Sequence, residues 1–277
     1  ARLREVLAAC GDMADCAAIC FGSAGISVGA AGEIIRRELA DAGFAGRLIL
    51  RGDHEIALRG AITGAGGILI AGTGSICCGV DENGRFARVG GWGHLIDDGG
   101  SGYAIGRDAL ALTVRGEDGR APQGALHDTV LRRTGAADAR GIVEFTYHGA
   151  SKAEVAALAA EVLRLAAQGD AQSAAILRRE AEELRALVSA LARELAIAQP
   201  RIALMGGLLA EDNVYREAVC AALNGTAQPV RPLHDALWGA AQLAFEALGN
   251  EMLTRRGAAS LYIPKGTSFA SQMELFS

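Results

Sequence analysis

Short apolar runs alternate with stretches of helical periodicity along most of the chain. Cys16 to Phe21 is an apolar run of strand length that ends at Gly22-Ser23-Ala24-Gly25. From about Ala30 to Ala42, Ile34, Ile35 and Leu39 then mark one face of a helix. Leu48 to Leu50 predicts a second strand ending at Arg51-Gly52-Asp53, and His54 to Ile62 a helix after it. Gly67 to Ala71, Ile76 to Val80 and Arg85 to Val89 predict three strands, joined by Gly72-Thr73-Gly74-Ser75 and by an Asn-Gly hairpin at Asp81 to Gly84. That is an antiparallel meander. The glycine-dense loop from Gly90 to Gly102 opens a helix at about Tyr103. Ser151-Lys152-Ala153-Glu154 has the form of a capping box, and Ala174 to Ala196 predicts a long helix with Leu177, Leu184, Leu187, Leu191 and Leu195 on one stripe. Arg201 to Met205 reads as a strand into Gly206-Gly207, followed by helices from about Asp212 to Leu223 and from Asp235 to about Leu248. Leu3 to Cys10 reads as a helix already under way. From Gly257 the periodicity gives out, and Leu261 to Thr267 reads as a strand into a turn.

Strands alternating with glycine turns and helices make this an α/β chain, and at about 150 residues per domain 277 residues suit two domains or one large bilobed one. Hydrophobic residues at 51% and charged residues at 21% exclude global disorder. A net charge of −5 without a long basic run argues against nucleic acid as a partner, and small-molecule substrates gain weight. No two of Cys10, Cys16, Cys20, Cys77, Cys78 and Cys220 have C-x-x-C spacing, so no zinc or redox motif is read and no metal ligand is assigned. The spacing of Cys10, Cys16 and Cys20 fits one helix better than a metal knuckle. No apolar stretch reaches the ~18 residues of a membrane span, and Arg2, Arg4 and Glu5 speak against a signal peptide, so the expected compartment is the cytoplasm.

Four loops carry candidate chemistry. The Gly72 to Ser75 turn can aim backbone N–H groups and two hydroxyls at phosphate oxygens, or it is simply a hairpin. It lacks the G-x-x-x-x-G-K-[ST] pattern of a Walker A loop. The Gly90 to Gly102 loop is costly to order, which favours backbone approaching a ligand. Within it, Trp92 either packs in the core or lines a sugar or nucleotide pocket, and His94 is a structural hydrogen bonder or a base. Met205-Gly206-Gly207 is a plain strand-to-helix turn or a nucleotide contact. Asp53 caps a helix, or acts at the C-terminal edge of a strand, where open α/β sheets bind ligands.

Taken in order, Gly72-Thr73-Gly74-Ser75, Gly90-Gly91-Trp92-Gly93-His94, Asp98 and Gly100-Ser101-Gly102-Tyr103 resemble the N-acetylglucosamine kinase branch of the BadF/BadG/BcrA/BcrD ATPase family. The likeness runs from about Cys16 to Gly239-Ala240-Ala241. It implies the two-lobed actin-like ATPase (ribonuclease H-like) fold. Residues 1–63 would be the remainder of the N-terminal lobe, with a last helix at about 242–256 returning to it. Residues 64–241 would form the C-terminal lobe, and 257–277 an unassigned tail. The resemblance implies an ATP- and Mg²⁺-dependent kinase, a cytoplasmic homodimer, that phosphorylates N-acetylglucosamine or glucosamine at the 6-hydroxyl. Asp53 would be the general base, and Gly72, Thr73, Gly74, Ser75, Gly206 and Gly207 would contact the nucleotide. Gly91, Trp92, Asp98 and Ser23 would bind the sugar.

The chain also departs from the family. Where Gly-Asp-Glu-Gly-Ser is common, it reads Asp97-Asp98-Gly99-Gly100-Ser101, and Ala24 stands where a sugar-contacting serine is common, next to Ser23. The family's first phosphate hairpin would precede Ala1, so an upstream segment is expected. Two other implied readings compete. One is a 2-hydroxyacyl-CoA dehydratase activator, suggested by Cys77-Cys78 as ligands of a cluster shared between subunits. The other is a sugar- or nucleotide-binding regulator without catalysis.

Overall fold

The computed structural model describes residues 12–26 and 30–249. The helix expected over Leu3 to Cys10, the position of Cys10 and the 257–277 tail lie outside the described residues. The chain divides into two compact units, Ala1–Thr63 with Pro232–Ser277, and Gly64–Arg231.

In the first unit, strands β1 (Ala18–Gly22) and β2 (Arg47–Arg51) pair in parallel, with Gly22 opposite Arg51. Helix α1 (Ala31–Asp41) buries Ile35 and Leu39 together with Met13 against Ile19, Phe21, Leu48 and Leu50. Helix α2 (Asp53–Ala61) starts two residues beyond β2, at Asp53. The last described helix, α9 (Ala236–Ala247), packs on α2, where the His234 N–H donates to the Gly60 carbonyl at 3.0 Å and Arg59 pairs with Glu246. Cys20 lies in β1 and Cys16 just before it, so the expectation that Cys16 and Cys20 share one helix is corrected.

The second unit is built on a five-stranded sheet of order β5-β4-β3-β6-β7. The expected meander is present as β3 (Gly66–Ala71), β4 (Ser75–Val80) and β5 (Phe86–Gly90). Strand β6 (Arg201–Met205) lies parallel to β3, and β7 (Gln228–Val230) parallel to β6. Strand β7 carries Pro229 and escaped the sequence reading. An edge strand tolerates the missing N–H of proline, but its sequence gives no strand signal.

Helix α7 (Ala171–Leu195) packs on β4 and β5, helices α3 (Gly102–Glu117) and α6 (Lys152–Ala167) pack on each other and on α7, and α8 (Val214–Ala222) packs on α7. The leucine stripe of α7 is the core seam, with Leu177, Leu184, Leu191 and Leu195 buried. The capping box at Ser151 and Glu154 is formed. Helices α4 (Ala125–Thr134) and α5 (Ala139–His148) were not anticipated; short, polar and interrupted by Gly141, they are held by burying Leu126, Val130 and Ile142. Among the described residues no helix is long and apolar enough to cross a membrane.

His127 ties α4 to the end of α3. Its Nε2 lies 2.8 Å from Glu117 Oε1 and its Nδ1 3.1 Å from Asp128 Oδ1. Burial pushes the imidazolium pKa down, but the two carboxylates together raise it above the ordinary 6.5. A raised native-state pKa adds stability that is fully present below the unfolded value and lost as the pH climbs through the native one. The stability gap between wild type and His127→Gln is therefore expected to be full below the ordinary 6.5 and to close as the pH rises above it through the raised native value. Thermal melts across pH check this; a constant gap contradicts it.

Candidate functional site

In the first unit, β1 and β2 run in parallel, so the chain leaves both strands at the same edge. Ser23 follows β1 and its N–H donates to the Arg51 carbonyl at 3.1 Å. Asp53 stands at that edge too. It does not cap its helix: Gly52 is the cap, its N–H donating to Glu55 Oε2 at 2.7 Å, and Asp53 is the first helical residue. Asp53 Oδ1 accepts the His54 backbone N–H at 2.9 Å and lies 3.3 Å from His54 Nδ1. The bond to the His54 ring is the main cause that holds this carboxyl below its ordinary 3.8, against the opposing effect of burial. Asp53 is thus an ionised, partly exposed carboxylate at a strand's C-terminal edge.

In the second unit, β3, β5 and β6 run in the same direction, so the loops that follow them share one edge of the sheet. The Gly72 to Ser75 turn is fixed to the start of α3, whose Gly102 and Tyr103 N–H groups donate to the Gly72 and Thr73 carbonyls at 2.7 and 3.3 Å. Thr73 is exposed, whereas the Ser75 hydroxyl is buried and donates to the Gly99 carbonyl at 2.7 Å. Of the two hydroxyls anticipated in this turn, only that of Thr73 is open to a ligand.

Next to it β6 ends at Met205, and Gly206 follows. A side chain there would collide with the Ala71 carbonyl of β3, and the φ of 88° is one that L-residues avoid. Leu208 N–H donates to that same carbonyl at 3.1 Å, and buried Arg216 donates to the Leu209 carbonyl. The helix expected from about Asp212 begins at Val214, capped by Asn213, so the corner itself is a turn and not a helix N-terminus.

The glycine-rich loop after β5 presents Trp92 to solvent at 65% exposure, with Leu95 and Ile96 still more open. Core packing of Trp92 is thereby ruled out. The Arg88 guanidinium lies 4.7 Å from the Trp92 ring centre and donates to the Gly91 carbonyl at 2.6 Å. His94 makes an edge contact with Tyr103, ring centres 4.6 Å apart.

Asp98 is buried and left-handed at φ 63°, a conformation that costs about 1–3 kcal/mol and persists only where surroundings enforce it. They do so twice. Glu180 Oε2 accepts the Gly100 N–H at 2.7 Å, and the Tyr215 hydroxyl donates to the Gly100 carbonyl at 2.7 Å. Burial raises the Glu180 carboxyl above its usual range. Asp98 Oδ2 pairs with Lys152 Nζ at 3.0 Å.

Sequence reasoning missed Lys152, Glu180, Tyr215 and Arg216. Glu180 left a trace, a carboxylate on the buried stripe of α7 between Leu177 and Leu184.

Among the described residues no group of three or more His, Cys, Asp or Glu is placed to hold a metal ion. Cys77 and Cys78 are wholly buried in β4, and burial raises the Cys77 thiol far above its ordinary range. Neither can reach a cluster shared with a second subunit, as a dehydratase activator would require.

The BadF/BadG/BcrA/BcrD ATPase family model matches residues 2–244. The chain belongs to this family. It is 36% identical over 199 residues to the N-acetylmuramic acid/N-acetylglucosamine kinase of Clostridium acetobutylicum, covering 70% of this chain and 65% of the relative. Against the N-acetyl-D-glucosamine kinase of Dictyostelium discoideum the identity is 30% over 155 residues, with 53% and 48% covered. The chain thus spans less than two thirds of the length of both curated relatives. Among solved structures, a candidate N-acetylglucosamine kinase of Chromobacterium violaceum superposes with a TM-score of 0.65 at 30% identity, over 80% of this chain and 74% of that one. A second candidate from Porphyromonas gingivalis reaches 0.65 at 21% identity over 84% and 80%, a likeness of fold. The α/β fold expected from the sequence is the one this family member adopts, and it is shared with the Chromobacterium violaceum protein.

Proposed function

We propose that the protein transfers the γ-phosphoryl group of ATP to the 6-hydroxyl of an amino sugar, N-acetylglucosamine or glucosamine. The main support is the meeting, on one sheet edge of the second unit, of the Gly72 to Ser75 turn, the Gly206 corner and the buried Asp98 with its lysine. The names of the relatives support the coarser part of this reading, a kinase acting on amino sugars.

Asp53 accepts the hydrogen bond of the 6-hydroxyl and takes its proton as the hydroxyl oxygen bonds to the γ-phosphorus; the bond from that phosphorus to the β–γ bridging oxygen breaks and ADP leaves. A carboxylate held below its ordinary pKa is a weak base. It suffices, because phosphoryl transfer depends on positioning and charge neutralisation more than on early proton removal. Gly72, Thr73, Gly74 and Ser75 shape the turn that receives the phosphates, and Gly206 and Gly207 form the corner beneath the adenosine. Mg²⁺ arrives as part of the substrate MgATP, since it binds through phosphate oxygens and waters and needs few protein ligands. Gly91, Trp92, Asp98 and Ser23 contact the sugar, with Trp92 offering an open aromatic face. The protein acts in the cytoplasm as a homodimer.

The testing experiment is an ADP-release assay with MgATP over N-acetylglucosamine, glucosamine, N-acetylmannosamine, N-acetylmuramic acid and glucose. ADP formation that depends on an amino sugar is expected. Sugar-independent ADP release, or none from a folded sample, refutes the kinase.

A further inference from the structure

Of the 27 basic residues in the sequence, two are lysines, Lys152 and Lys265. Lys152 is the first residue of α6, where a helix dipole opposes a cation, and the capping box of Ser151 and Glu154 already satisfies that helix end. Neither composition nor helix stability accounts for it. Residues that break a local rule in this way gather at functional sites.

The Lys152 ammonium lies against the Gly72 to Ser75 turn. Its Nζ lies 3.0 Å from Asp98 Oδ2. A Cβ added at Gly74 would fall 2.9 Å from that oxygen and 3.2 Å from Nζ, so the absent side chain of Gly74 is what lets the pair press against the turn. The two partners are unequally covered: the Asp98 side chain is 4% exposed and that of Lys152 34%. The carboxylate is a fixed anchor, and the ammonium, on a flexible four-carbon stem, keeps access to solvent and to the space beside Thr73 and Gly74.

We propose that Lys152 is a phosphate-binding residue of this site. Without nucleotide, Asp98 holds its ammonium beside the turn; with MgATP bound, the ammonium turns its remaining N–H groups to the terminal phosphate oxygens and offsets their charge. A compact, mobile point charge suits this task better than the planar fork of arginine. The proposal rests on the Gly72 to Ser75 turn being the phosphate site.

The test is equilibrium binding of adenosine, Mg·ADP and Mg·ATP, with thermal melts, on wild type, Lys152→Met, Lys152→Arg and the double variant Asp98→Asn/Lys152→Met. Lys152→Met is expected to lose about tenfold or more in affinity for Mg·ATP, the worth of one charge-assisted hydrogen bond, while binding adenosine as wild type does. Lys152→Arg recovers part of the loss. In the double variant no buried carboxylate is left unpaired, so the melting temperature returns toward wild type while the loss for Mg·ATP persists. If Lys152→Met keeps the wild-type ratio of Mg·ATP to adenosine affinity, or the double variant regains Mg·ATP binding along with stability, Lys152 only neutralises Asp98 and the proposal is overturned. A wild type that binds Mg·ATP no better than adenosine refutes the phosphate reading of the turn itself, and the role of Lys152 with it.

Discussion

Asp53→Asn is expected to leave the protein folded and to lower turnover by about 10²–10⁴-fold, the range for losing a positioned general base. Asparagine keeps the size of the side chain, and its carbonyl oxygen can still accept the His54 N–H that Asp53 Oδ1 accepts at 2.9 Å. The side chain is partly exposed and caps nothing, because Gly52 and Glu55 close that end of α2. What the variant removes is the charge that orients the 6-hydroxyl and receives its proton. Initial rates at saturating sugar, beside a thermal melt, separate the two effects. An unchanged rate removes Asp53 from the mechanism, and a large drop in melting temperature assigns it to the fold.

The environment of Asp53 also sets a pH dependence. Its pKa lies below 3.8, mainly through the His54 ring, so the carboxylate persists through the mildly acidic range. The acid limb of kcat/KM should accordingly fall below that value wherever the protein remains folded. A limb near neutrality assigns the titrating group elsewhere.

Gly206→Ala should have the largest effect on stability at the site, about 2–5 kcal/mol, and should abolish nucleotide binding. A φ of 88° costs an L-residue about 1–2 kcal/mol, and forced overlap adds about 1–3 kcal/mol. The atom in the way is the Ala71 carbonyl oxygen, which also accepts the Leu208 N–H, so relief requires moving β3 against β6. The neighbouring Gly207 is the control. A Cβ there meets nothing within 4 Å and its φ is ordinary, so Gly207→Ala should stay within about 0.5 kcal/mol. Denaturant titration of both variants checks the contrast; equal losses would mean that the close approach at Gly206 is not what constrains this corner.

Much of the frame is legible in the sequence because it follows from local patterns. The meander appears as three apolar runs separated by glycine turns. The long α7 shows itself by its leucine stripe, and the start of α6 by Ser151 and Glu154. What escaped depends on contacts between distant segments. Helices α4 and α5 exist because Leu126, Val130 and Ile142 find a core, and β7 because β6 offers it an edge.

The candidate site divides along the same line. Glycine turns and the carboxylate of Asp53 stand out as residue types at strand ends, so both edges could be named in advance. The supports of the loop could not: Glu180 and Tyr215 come from α7 and α8 to grip Gly100, and Lys152 comes from α6 to Asp98. Trp92 shows the limit of composition in the other direction. An aromatic residue among glycines is equally compatible with core and surface, and only the path of the backbone after β5 decides for the surface.

The most direct test of the proposed activity is to identify the product. The protein is incubated with Mg·ATP and N-acetylglucosamine or glucosamine, and the sugar product is examined by ³¹P–¹H correlated NMR. A phosphorus nucleus coupled to the two protons on carbon 6, formed in step with ADP and absent with Asp53→Asn, is the predicted result. Phosphate at the anomeric carbon, or ADP without any phosphorylated sugar, would contradict an amino-sugar 6-kinase with Asp53 as its base.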